Sequence, residues 1–147
     1  MKKIAYLRPD GGVSIVIPVP KETIEKTLGS LTDAEYEAHV RDRSIPKDAV
    51  SVRDIEDDEI PQDRSFRNAW KLDLSVDMDK AREIHMARIR KVRDQAMAVL
   101  DIETMKGRDV QDQKQVLRDL PQTFKLNTAK TPDELKNMWP VELNREA

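Results

Sequence analysis

The sequence predicts an α+β protein: a small N-terminal module of β-hairpin, helix and third strand, followed by a long α-helix and a helical C-terminal hairpin. Three observations carry this. Val13, Ile15, Ile17 and Val19 alternate strictly behind the turn signal Pro9-Asp10-Gly11-Gly12, which is the pattern of a hairpin strand. Between residues 78 and 105 apolar residues recur in steps of three and four, the mark of one face of a long helix. Capping residues, glycines and prolines punctuate the rest at places where helices start and stop.

Taken in order, residues 4–7 and 13–19 form the hairpin, and Pro18 and Pro20, which cannot donate ladder hydrogen bonds, end the second strand or hold it at an edge. Residues 21–44 read as helical, with a short first piece stopped by Gly29 and a second begun by Thr32, whose partner Glu35 completes a capping box. Pro46 forbids continuation. Residues 49–56 return to strand character, with Val50, Val52 and Ile55 expected to face the hairpin. A hairpin alone is marginal, so this third strand and the helix are needed for a stable module over 1–60. Residues 61–76 read as a linker carrying an aromatic anchor motif, preceded by the acidic run 56–59. In so polar a stretch, Phe66 and Trp70 are expected to anchor onto something apolar.

The helical region, 77–147, opens with the long helix, capped by Asp77 or Asp79 and stopped by Gly107. Its stripe runs Met78, Ala81, Ile84/His85, Ile89, Val92, Ala96 and Val99/Leu100, with Ile102 and Met105 nearby. Such a helix is about 40 Å long. A homo-oligomer through this helix, as in a coiled coil, or a helical hairpin within one chain would bury the stripe. A second helix over 109–119 ends at Leu120-Pro121 and can fold back on the first. Thr131-Pro132-Asp133-Glu134 opens a third, short helix, with Thr131 as N-cap and Pro132 at the first helical position, and Pro140 closes it.

Composition narrows the function. Hydrophobic residues make up 38% and charged residues 37% of the 147, against about 45–50% and about 25% in typical domains. Core material is thin, which suits two-faced helices, an oligomer, or a protein that borrows core from a partner. The net charge of −2 supplies no global pull toward DNA or an anionic membrane. The absence of cysteine excludes disulfides, thiolate metal sites and cysteine nucleophiles. No apolar run approaches the ~18 residues of a membrane span, and the N-terminus has no apolar region of a secretory signal. The chain is expected to stay in the cytoplasm or in a particle assembled there, with no membrane contact.

No constellation nominates a catalytic residue, a cofactor or a metal. His39 and His85 lie far apart on separate predicted helices, without the spacing of a zinc site. The glycine pair joins two strands rather than a strand and a helix, unlike a phosphate cradle. The long helix has a basic half, Lys80, Arg82, Arg88, Arg90, Lys91 and Arg93, interleaved with Asp79, Glu83 and Asp94. A salt-bridged outer face explains it; a nucleic-acid-binding phage regulator is the alternative reading.

Two passages resemble known proteins. Asp63-Arg64-Ser65-Phe66-Arg67-Asn68-Ala69-Trp70 resembles the DR(S/T)FRNAW signature of many phage and prophage proteins, in which a long charged helix follows. Residues 113–121, QKQVLRDLP, closing with Trp139-Pro140, resemble the C-terminal pattern of phage tail assembly chaperones and tail-fibre assembly proteins. Here residues 123–138 intervene between the two parts of that pattern. The resemblance implies a non-enzymatic protein that binds phage tail or tail-fibre proteins, as a transient chaperone or as a small virion component, located in the host cytoplasm during assembly or in the virion. Aromatic and arginine anchors dominate interface energetics, so Phe66, Arg67, Trp70, Met138 and Trp139 are the candidate partner-binding residues.

Overall fold

The hairpin forms between β1 (Lys3–Leu7) and β2 (Val13–Val16), antiparallel in the register Ile4 to Val16, Ala5 to Ile15, Tyr6 to Ser14 and Leu7 to Val13. Its turn needs Gly11 at φ 84°, a left-handed conformation that only glycine adopts without strain. Arg8 braces the turn, its guanidinium bonding Asp10 at 3.1 Å and Ser14 at 2.9 Å. β2 stops at Val16, two residues before Pro18, and Ile17 and Val19 are left exposed.

Two helices follow, α1 (Lys21–Leu28) and α2 (Asp33–Ser44). The Thr32 capping box is formed in both directions: Glu35 N–H donates to Thr32 Oγ1 at 3.2 Å and Thr32 N–H donates to Glu35 Oε2 at 2.7 Å. The chain then returns as β3 (Ser51–Ile55), antiparallel to β1 on the side away from β2, so the sheet order is β2-β1-β3. Tyr36 donates its hydroxyl proton to the Val19 carbonyl at 2.8 Å, and Arg41 pairs with Asp54 at 2.8 Å. Those two bonds lay α2 on the sheet face that carries Asp54 and, by register, Ile4. Val50 and Val52 do not face inward as the sequence suggested; they are 64% and 41% exposed, while Ile55 is 1% exposed. Strand side chains alternate with period two, so Val52 shares the α2 face with Asp54 and stays partly exposed there, while Ile55 lies on the opposite face.

The structure, a computed structural model, describes residues 1–143. It divides into two compact units, Met1–Val76 and Asp77–Ala147. Residues 61–76, expected to be a linker, belong to the first unit. The acidic run before them is exposed but locally ordered. Asp57–Glu59 is one turn of 3-10 helix in which Glu56 N–H donates to Glu59 Oε2 at 2.7 Å. Lys2 pairs with Glu56, Lys3 with Asp57 at 3.0 Å and Arg53 with Glu59 at 2.8 Å.

The carboxylates of this unit make its stability acid-sensitive. The Thr32 backbone N–H holds Glu35 below the ordinary glutamate range, the Glu56 backbone N–H and then Arg53 do the same for Glu59, and the Ser75 hydroxyl and N–H do so for Asp73. A carboxyl whose folded pKa is depressed contributes stability that is present above its unfolded pKa and lost as pH falls through the folded one. Unfolded Glu and Asp titrate near about 4.3 and about 3.9. The melting temperature is therefore expected to hold flat from neutrality to about pH 5 and to fall below it. Glu35→Gln should shallow that decline in a melt-versus-pH series; an unchanged acid limb in that variant contradicts this role.

The second unit is helical: α3 (Met78–Met105), α4 (Gln111–Thr123) and α5 (Pro132–Asn137). Asp77 caps α3, accepting from the N–H groups of Asp79 at 3.1 Å and Lys80 at 3.3 Å. Its far end closes with Gly107 at φ 84°, where Gly107 N–H donates to Thr104 O at 3.0 Å and Arg108 N–H to Glu103 O at 3.1 Å. That crossed pair of bonds is a Schellman motif. α4 runs past Pro121 rather than stopping before it. The proline costs only one N–H in the last turn, and Phe124 N–H still reaches Leu120 O at 2.9 Å. At α5, Thr131 accepts from Glu134 N–H at 3.2 Å, but Glu134 takes the N–H of Lys130 at 2.7 Å, one residue before the cap.

Candidate functional site

The segment holding the Phe66–Trp70 motif is built by short local bonds. Asp63 accepts from the Ser65 N–H at 2.9 Å and its hydroxyl at 2.6 Å, and Arg67–Ala69 makes a single 3-10 turn. Asp73 repeats that pattern on Ser75. Between them the chain doubles back, with Trp70 bridging Val76 and Lys71 N–H donating to Ser75 O at 2.8 Å. Leu74 sits there at φ 65°, a conformation that costs a non-glycine residue of order 1 kcal/mol. Its burial at 4% exposure offsets the strain. Arg53 clamps the loop to β3 by donating to Leu72 O at 3.0 Å.

The loop covers one face of the sheet. Ala5, Val13 and Ile55 from the strands share a core with Trp70 and Leu74, with Leu7, Ile15, Ile60, Leu72 and Val76 at its margin. Phe66 and Trp70 are each 2% exposed. Both lie in the protein's own interior rather than on an exposed surface, because a sheet with two apolar faces and helices on one of them needs a second cover. Arg67 remains exposed, as does Arg64, and the two line a cavity of about 620 Å³ whose wall includes Trp70. The indole Nε1 of Trp70 is buried and has no hydrogen-bond partner among the described residues, a situation that costs about 1–3 kcal/mol.

Met138 and Trp139 are half-buried within the second unit. His85, 3% exposed on α3, organises them: its Nε2 donates to Met138 O at 2.7 Å, and its ring meets Trp139 edge-on, with centroids 5.8 Å apart at 70°. Trp139 Nε1 donates in turn to Leu143 O at 3.2 Å, and Pro140 is fully buried. Arg82 adds a bond from Nη2 to Ala129 O at 2.8 Å. Trp139-Pro140 thus packs on α3, with Met138 and Trp139 themselves left half-exposed.

The surface that sequence reasoning passed over lies at the other end of α3. The predicted stripe is buried at Ala81, His85 and Ile89 but not beyond: Val99 is 59%, Ile102 53% and Met105 86% exposed, and Val116 on α4 is 48% exposed. Val99 and Val116 line a trough of about 480 Å³ with Ala96, Leu100, Leu117, Gln113 and Glu142. The cause is a mismatch of lengths. α3 has 28 residues, whereas α4 and α5 have 13 and 6, too few to cover the whole face. α4 is held alongside by Lys114, 7% exposed, whose ammonium reaches Asp101 at 2.8 Å.

Among the described residues no three His, Asp or Glu side chains gather to hold a metal ion, and no helix is long and apolar enough to cross a membrane. His39 and His85 lie in different units. The chain matches no family model, no curated protein and no solved structure.

Proposed function

We propose that this chain is a non-enzymatic bacteriophage accessory protein that acts by binding other proteins during tail or tail-fibre assembly. It works in the host cytoplasm as a transient chaperone, or stays in the virion as a small component. One observation carries the binding role: Val99, Ile102, Met105 and Val116 stand exposed, and Val99 and Val116 edge a largely apolar trough. A contiguous exposed apolar surface marks an interaction site more often than solvent-facing decoration, and each such side chain, fully buried, contributes about 1.5–3 kcal/mol. The likeness of residues 63–70 and 113–121 to phage proteins supplies the setting. A DNA-reading role for α3 is less favoured, since Arg82 is paired with Asp79 at 2.8 Å and Arg93 with Asp94 at 2.6 Å.

Quantitative mass spectrometry of the encoding phage tests this setting. The chain should appear in purified virions at a fixed ratio to tail proteins, or be absent there and co-sediment with a tail or fibre protein from infected cells. Absence from both fractions while the chain is abundant and free in the cell defeats the reading.

A further inference from the structure

The motif at residues 63–70 does more than fill the core. Arg67 N–H donates to Arg64 O at 3.1 Å and Trp70 N–H to Arg67 O at 3.2 Å, and Arg64, Arg67 and Trp70 all line the same cavity of about 620 Å³ in the first unit. No hydrogen bond or ion pair among the described residues engages either guanidinium. This sets them apart from Arg8, Arg41 and Arg53 of the same unit, each of which has a carboxylate partner. The rest of the wall includes Ile15, Ile17 and Ile60, with Ile17 67% exposed. Lys3 and Asp57 also reach the cavity but neutralise each other at 3.0 Å, which leaves Asp58 against two free cations. The site is thus apolar on one side and net positive on the other, beside a buried indole N–H that lacks an acceptor.

We infer that this cavity receives an acidic, apolar segment of a partner protein. A Glu or Asp side chain of that segment is forked by Arg64 and Arg67, since guanidiniums bind carboxylates with paired, charge-assisted bonds. A neighbouring aliphatic side chain packs over Ile15 and Ile17. A free phosphate satisfies the arginines but leaves the isoleucines bare, and a nucleic acid strand meets too little positive charge on a chain of net charge −2. The inference rests on the reading of this chain as a binding protein but not on the α3–α4 ridge.

The test uses the whole, nitrogen-15-labelled chain and follows the Trp70 indole N–H resonance during titration. The probes are a panel of short, capped peptides alternating glutamate with leucine and valine, the same peptides with lysine for glutamate, and inorganic phosphate. The glutamate peptides should move the Trp70 signal saturably, and the other probes should not. The double variant Arg64→Ala/Arg67→Ala should melt like the wild type and bind the peptides at least about tenfold more weakly. A Trp70 signal that no glutamate peptide moves, or that moves equally in the double variant or with phosphate, overturns the inference. That result leaves the ridge untouched, because ridge variants leave Arg64, Arg67 and Trp70 in place.

Discussion

Trp70→Ala is expected to lower the unfolding free energy by about 3–5 kcal/mol, the usual cost of truncating a large buried aromatic. Trp70 is 2% exposed and shares its core with Ala5, Val13, Ile55 and Leu74. Its removal opens a cavity under the segment that closes this face of the sheet, and Leu74, held at φ 65°, loses the packing that offsets its strain. Small domains have about 5–15 kcal/mol in total, so the change consumes a large share. Trp70→Phe keeps most of the volume and discards the unpaired N–H, and should cost far less than the alanine. Urea denaturation of the three proteins measures both. A wild-type midpoint for Trp70→Ala contradicts the placement of this segment in the core and returns Trp70 to the surface.

His85→Ala is expected to cost about 2–4 kcal/mol in the second unit. The part-buried Met138 carbonyl loses its donor, a penalty of about 1–3 kcal/mol, and the edge-on contact with Trp139 goes with it, about 0.5–1.5 kcal/mol. His85→Phe separates the two, because it retains an aromatic edge for Trp139 while leaving Met138 O without its 2.7 Å bond. Its loss should fall between wild type and alanine. Equal stability of all three contradicts the role of His85 in docking the chain end.

The parts of this fold that were legible in the sequence are those encoded locally. Thr32 with Glu35, Asp77, Gly107 and Thr131-Pro132 mark helix ends through bonds to residues within a few positions, and each helix begins or ends where those residues stand. The α+β order followed from the change of apolar period from two to three and four. What was not legible depends on distant surfaces. Residues 61–76 carry no period and much charge, and nothing local reveals that Trp70 and Leu74 are claimed by a bare face of a sheet whose hairpin strands lie far earlier in the chain. An aromatic-arginine cluster looks alike whether it serves a partner or its own core, so Phe66, Trp70 and Trp139 were assigned outward. Of the motif's candidate residues, Arg67 kept its surface position, and Arg64 is exposed as well. His85 fell on the predicted stripe, but its bond to Met138 spans 53 residues. The ridge was visible as the end of that stripe; that it stays uncovered follows from the shortness of α4 and α5, which only the packed structure displays.

The ridge variant Val99→Asp/Met105→Asp tests the central claim most directly. Both positions are more than half exposed, so the variant should fold and melt like the wild type. Each protein would be co-expressed with the tail and tail-fibre proteins of the encoding phage, purified by a tag on this chain, and the bound phage protein quantified. The binding account predicts a stoichiometric complex for the wild type and at least about tenfold less partner with the variant, since two charges buried without partners cost well over the 1.4 kcal/mol that a tenfold change requires. A partner retained in full by the folded variant, or no partner held by the wild type, contradicts it.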